Sequence, residues 1–250
     1  MKRFLIFFAG LFLFAAAGFA AVVDKGTPFV EAAGKYKTAD FKGADRIYKE
    51  VLKNGPGTAA LYYNLGNTSF RLGKKGEARL YYERALEAAP RDPDIQWNLA
   101  ILKNTLADHI QEKNISPVFL WLRQKAAAFT ADETALFVSV ILSLLVLCAL
   151  AGLRYRGNRF IKGLGSLLCL ALVAAATLGA LKWNQVKDPR LVILQKEALA
   201  RNGPSEKETK AFLLHEGAVA GVADETKDWF YITLESGDTG WILKNSGQLV

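Results

Sequence analysis

Five side chains have the types and spacing to recognise another molecule. Tyr63, Asn67, Phe70 and Arg71 recur at intervals of three and four, so a helix over this stretch carries them on one face. Trp97 follows 34 positions after Tyr63. A carboxamide bonds extended peptide backbone, a guanidinium pairs with a carboxylate, and the rings supply apolar surface. The set predicts peptide binding; the competing reading is that Phe70 and Trp97 pack between helices. Trp229 and Trp241 form a second aromatic pair. It either lines a ligand groove, as aromatics do where proline-rich peptides dock, or fills the core of a small β unit.

Nothing in the sequence assembles reaction chemistry. No Ser/His/Asp, Cys/His or paired-carboxylate pattern stands out, so no enzymatic activity, catalytic residue or cofactor is expected. Cys148 and Cys169 both fall inside apolar runs and make neither a disulfide framework nor a zinc site. His109 and His215 stand alone, without the neighbours a metal site needs, and no metal ligand is expected. The net charge of +8 invites a nucleic-acid reading, but residues 24–116 carry only +3 and residues 186–250 carry −2. The excess lies beside apolar runs, at Lys2, Arg3, Arg123, Lys125, Arg154, Arg156, Arg159, Lys162 and Lys182, where basic residues report membrane topology. No nucleic-acid partner is expected.

These apolar runs organise the chain. Lys2 and Arg3 precede an apolar stretch from Phe4 to Ala17, followed by Gly18-Phe19-Ala20, so residues 1–20 read as a signal peptide cleaved after Ala20. Thr134–Leu153 and Gly163–Leu181 are uncharged, and about twenty apolar residues cross the hydrocarbon core as a helix. Transmembrane helices are therefore expected over 134–153 and 163–183. Residues 154–162 form a short loop whose charges are all basic, placed in the cytoplasm by the positive-inside rule. Both flanking units then face the periplasm of a bacterial inner membrane. Residues 117–133, with Phe119, Trp121 and Leu122, read as an interfacial helix. Trp121 and Trp183 mark the outer span ends. Small residues four apart, Ala171/Ala175/Gly179 and Ser139/Ser143, predict an antiparallel helical hairpin.

Residues 25–116 carry an internal repeat. Tyr62, Leu65, Gly66, Ala78, Tyr82, Ala85 and Pro90 match the tetratricopeptide pattern at every offset. Gly66 and Ala78 let two helices cross closely, Tyr62, Leu65 and Tyr82 fill the space between them, Gly73 and Gly76 make the turn, and Pro90 ends the second helix. A degraded earlier copy runs through Ala32, Ala44, Tyr48, Val51 and Pro56. A third begins at Asn98-Leu99-Ala100 and lacks its second helix, so Asp94–Ile110 is predicted to cap the array.

Residues 187–250 change to short apolar runs at Leu191–Leu194, Phe212–Leu214, Phe230–Leu234 and Gly240–Leu243, separated by turn chemistry. Five or so strands are expected. The segments Asp228-Trp229-Phe230-Tyr231-Ile232, Gly240-Trp241-Ile242, Ala198–Ser205 and Leu214–Gly217 resemble bacterial SH3 domains, Leu199 departing from the usual β-branched residue. The fold class is thus a multi-domain membrane protein: an all-α tetratricopeptide-repeat domain, two transmembrane helices and a small all-β SH3-like barrel. This order of modules resembles BatE-type proteins of the Bat aerotolerance family. The resemblance implies a non-enzymatic membrane scaffold in an aerotolerance or envelope-stress complex, with von Willebrand A-domain membrane proteins and a MoxR-type AAA ATPase system as partners. The alternative is a peptidoglycan-binding module that recruits a cell-wall enzyme.

Overall fold

The computed structural model describes residues 27–108, 116–155, 158–187 and 189–250. The leader, His109 and Arg156 lie outside the described residues, as does the side chain of Trp183.

Five helices form the N-terminal unit: α1 (Thr27–Lys37), α2 (Phe41–Asn54), α3 (Ala59–Arg71), α4 (Lys75–Ala88) and α5 (Pro93–Asn104). Their starts are written locally. The Asp40 carboxylate accepts from Gly43 N at 2.9 Å, the Thr58 hydroxyl from Leu61 N at 3.2 Å, and Asp92 from Asp94 N at 2.9 Å with Pro93 opening α5. Gly73 turns the chain between α3 and α4 at φ +75°, a conformation only glycine adopts freely. Residues one period apart do the same job. Ala44 and Ala78 are fully buried, as are Tyr48 and Tyr82. Ala32 and Gly66 occupy the matching crossing positions, and a Cβ on Gly66 would lie 2.5 Å from the Tyr82 ring. Ala100, the next equivalent, is exposed.

Next come α6 (Pro117–Ala127), α7 (Ala131–Arg154) and α8 (Arg159–Lys187). The stretches Asp132–Arg154 and Arg159–Thr177 are long and apolar enough to cross a membrane, and neither is buried by the rest of the protein. They pack against each other in antiparallel register: Gly152 faces Ile161, Gly165 faces Cys148, and Gly179 faces Thr134. Half-buried positions between them include Val138, Val140, Ile141, Ser143 and Leu145 on α7, and Leu168, Ala171, Leu172 and Ala175 on α8. Ala171, Ala175 and Gly179 of the small-residue series are all half-buried, as is Ser143, whereas Ser139 is exposed and accepts, through its carbonyl, a bond from the Ser143 hydroxyl of its own helix.

The C-terminal unit has seven strands rather than five: β1 (Arg190–Ile193), β2 (Glu197–Arg201), β3 (Lys210–His215), β4 (Val219–Glu225), β5 (Trp229–Thr233), β6 (Thr239–Leu243) and β7 (Gly247–Leu249). They form one antiparallel sheet in the order β3-β2-β6-β5-β4-β1-β7. Phe212 and Leu249, from the strands at its two ends, pack on one cluster of Leu191, Ile193, Leu214, Phe230, Ile232 and Ile242. The sheet therefore curls over its own inner face.

The repeat and β units dock on each other, although both apolar helices separate them in sequence. Strand β1 packs against α4, which is why Leu191, Val192 and Ile193 are all buried instead of alternating. Arg190 donates to Glu83 Oε2 at 2.9 Å and to Glu87 Oε1 at 2.7 Å, and Arg79 Nε donates to Glu83 Oε1 at 2.7 Å. Glu83 is only 4% exposed. Burial pushes its carboxyl up, but Arg79, Arg190 and Lys103 together hold it below the usual range. Helix α4 has no cap from its own chain start at Lys74; instead Glu216, in the β3–β4 turn, accepts from Gly76 N at 2.9 Å. Gly76 thus lies inside the helix, not in the turn, and a Cβ there would meet the Ile193 carbonyl oxygen at 2.6 Å. Gly217, at φ +89°, packs on Leu106. Asp108 accepts from His215 N at 2.6 Å and faces its Nδ1 at 2.8 Å. The Arg84 guanidinium donates to the Leu249 carbonyl oxygen at 2.6 Å.

Candidate functional site

The face predicted from the first repeat residues is built by α3 and α5. The phenol of Tyr82, from α4, donates to Asn67 Oδ1 at 2.7 Å. The Asn98 carboxamide donates to the same oxygen at 2.9 Å and to the Tyr63 hydroxyl at 3.0 Å. Burial pushes the Tyr82 phenol up, so it stays a neutral donor at any physiological pH. Four side chains from three helices thus form one relay. The Asn67 Oδ1 and Tyr63 hydroxyl acceptors thereby tie α3 to α4 and α5.

Phe70 turns inward and packs on Ala78, Tyr82, Leu99, Leu102 and Leu106. Arg71 is exposed, its guanidinium 4.7 Å from the centroid of the Phe41 ring. Trp97 is 69% exposed and Ile101, four residues on, is 39% exposed. Of the five residues singled out, Trp97 and Arg71 are exposed, while Tyr63, Asn67 and Phe70 are half-buried, Tyr63 and Phe70 packing against the core cluster. Ile101 joins the exposed set through its i+4 relation to Trp97. Trp97 and Ile101 together offer an exposed indole and aliphatic side chain, a surface suited to an apolar residue of a protein segment.

The aromatic pair of the β unit divides differently. Strands β5 and β6 pair Trp229 with Leu243 and Tyr231 with Trp241. Trp229 is buried, whereas Trp241 is half-buried against Tyr231 at 5.1 Å between centroids. Tyr231, not Trp229, is the ring beside Trp241, with Arg201 of β2 next along the same face. Among the described residues no group of three or more His, Cys, Asp or Glu side chains converges as a metal site would.

A third arrangement had no sequence signal. Arg91, in the turn after α4, bonds Glu133 at the start of α7 and donates to the Ala128 carbonyl oxygen at 3.2 Å. Glu133 also completes a capping box with Thr130. The helical repeats are thereby tied to the root of the first apolar helix.

Residues 30–93 match the tetratricopeptide repeat family model. That span runs from α1 into the first residue of α5, and repeats of this kind act in protein–protein interaction. No curated protein matches the sequence. Among solved structures, the chain is similar to the crystal structure of an NlpC/P60 family protein from Bacillus cereus ATCC 10987. Identity is 19% over 27% of this chain and 22% of that chain, with a TM-score of 0.22.

Proposed function

We propose that this chain is a non-enzymatic membrane-anchored scaffold, in which the apolar hairpin holds the protein in a bilayer and the open repeat face at Trp97 binds a segment of a protein partner. The observation that carries the reading is the clamp between Arg190 and Glu83. The repeat and β units flank the hairpin in sequence, and two crossings return the chain to the side it left. One crossing would keep these side chains apart. The basic loop then lies on the far side, in the cytoplasm by its charge, with both soluble units in the periplasm. The β unit serves as an SH3-like buttress for the repeats. The Bat-type resemblance makes von Willebrand A-domain membrane proteins and a MoxR-type ATPase system the first partners to test.

The experiment is co-purification from native membranes with wild type and an Arg71→Ala/Trp97→Ala double variant. Neither side chain belongs to the core, so the variant should melt like wild type and lose the partner. Equal recovery with both proteins would remove the repeat face from the reading. Asn67 is a poor probe, because its loss also loosens α3 from α5.

A further inference from the structure

Helix α6 packs against α8 and is unevenly covered. Leu122 is half-buried and Ala126 fully buried, about 40° and 80° round the helix from Val118. In the adjoining strip Val118 is 68% exposed and Trp121 55%, with Lys125 Nζ 5.8 Å from the centroid of the Trp121 ring. At 100° per residue these three positions fall within an arc of about 60°. The helix contains Arg123 and Lys125 and no acid. Its depth is set by the chain. Only residues 128–130 separate Ala127 from the start of α7, a reach of roughly 10 Å for three extended residues. The polar layer on each side of a bilayer is about 5–8 Å thick, so α6 ends within or beside the headgroups wherever α7 enters lipid. Arg91 grips the same connection from the repeat unit, through Ala128 and Glu133.

We infer that α6 is a membrane-surface element whose Val118–Trp121–Lys125 face lies among phospholipid headgroups, the indole at the hydrocarbon boundary and the ammonium toward phosphate. This rests on the hairpin spanning a bilayer. It adds that the repeat unit sits on the membrane through a third helix, so the orientation of its open face is fixed against the lipid plane. An indole and a basic side chain on one exposed face are the pair that this layer accommodates.

The test uses the full chain with Cys148→Ala and Cys169→Ala, in vesicles of phosphatidylethanolamine with phosphatidylglycerol. Single cysteines at Val118→Cys, Trp121→Cys, Val146→Cys and Asn245→Cys carry a nitroxide. Accessibility to oxygen and to a water-soluble nickel chelate is then measured by electron paramagnetic resonance. Val146 reports the span and Asn245 the aqueous unit. The inference expects positions 118 and 121 to exclude the chelate several-fold relative to 245 while admitting oxygen. Chelate access at 118 and 121 equal to 245, with 146 still shielded, overturns it and leaves the span standing. Shielding of 118 and 121 from both reagents means a protein covers the face, which also overturns it. Chelate access at 146 equal to 245 removes the membrane reading and this inference with it.

Discussion

Arg190, the first residue of β1, meets the buried carboxylate of Glu83 at 2.9 Å across 107 positions of chain that include both apolar helices. Glu83 keeps Arg79 when Arg190 is lost, but one of its oxygens is then left without its cation. Arg190→Ala should cost about 1–3 kcal/mol, the range for a buried polar group deprived of a partner. Thermal melts in detergent measure it. Glu83 is held below the ordinary carboxyl value of 4.5, so its stabilisation is complete above that value and is lost as pH falls through the lowered one. Glu83→Gln should flatten the melting profile in that acid window; an unchanged profile would mean the clamp carries no linkage.

Glu216 caps α4 from outside the helix. Glu216→Ala should destabilise by about 0.5–2 kcal/mol, as lost caps do. Glu216→Gln keeps the acceptor oxygen and should recover most of that. If the two substitutions behave alike, the Gly76 N–H bond is not the contribution that matters.

The helix crossings predict a graded series. Gly66→Ala already forces the Tyr82 ring aside, and Gly66→Leu or Ala78→Leu should cost about 1–3 kcal/mol or more by overpacking. Lys74→Leu removes only partly exposed ion pairs and should stay within about 0.5 kcal/mol. Equal tolerance at all three positions would contradict the crossing geometry.

Asp108 raises the His215 imidazole above its ordinary value of 6.5, chiefly through their hydrogen bond. A raised folded-state value means the contribution is fully present below 6.5 and is lost as pH rises through the higher value. The gap in melting temperature between wild type and His215→Ala should therefore narrow as pH rises above 6.5. A constant gap would show that the His215 backbone N–H alone holds Asp108.

An alkaline phosphatase fusion after Val250 should be active, and one placed between Arg154 and Arg159 inactive. The reverse pattern would exclude a hairpin with both soluble units outside.

What the sequence determined by itself is whatever local rules encode. The period of 34 put Ala44 with Ala78 and Tyr48 with Tyr82, because each repeat solves the same crossing with the same volumes. Uncharged runs marked α7 and α8, since chain length against bilayer thickness needs no partner. Short apolar runs marked β1, β3, β5 and β6, whereas β2 and β4, whose segments mix Ala and Gly with polar residues, and the three-residue β7 lay outside them. Tertiary structure decided the rest. Whether Trp229 or Tyr231 stands beside Trp241 depends on strand register, which no single strand records. The sequence placed Tyr63 and Asn67 on one helix face, and only the packing of α4 and α5 showed Tyr82 and Asn98 as their hydrogen-bond partners. The clamp of Glu83 to Arg190, the cap of Glu216 on Gly76 and the pairing of His215 with Asp108 join residues more than 100 positions apart. Long-range electrostatic pairs leave no periodicity in a sequence. They exist only because packing brings two surfaces together and burial makes an unpaired charge costly.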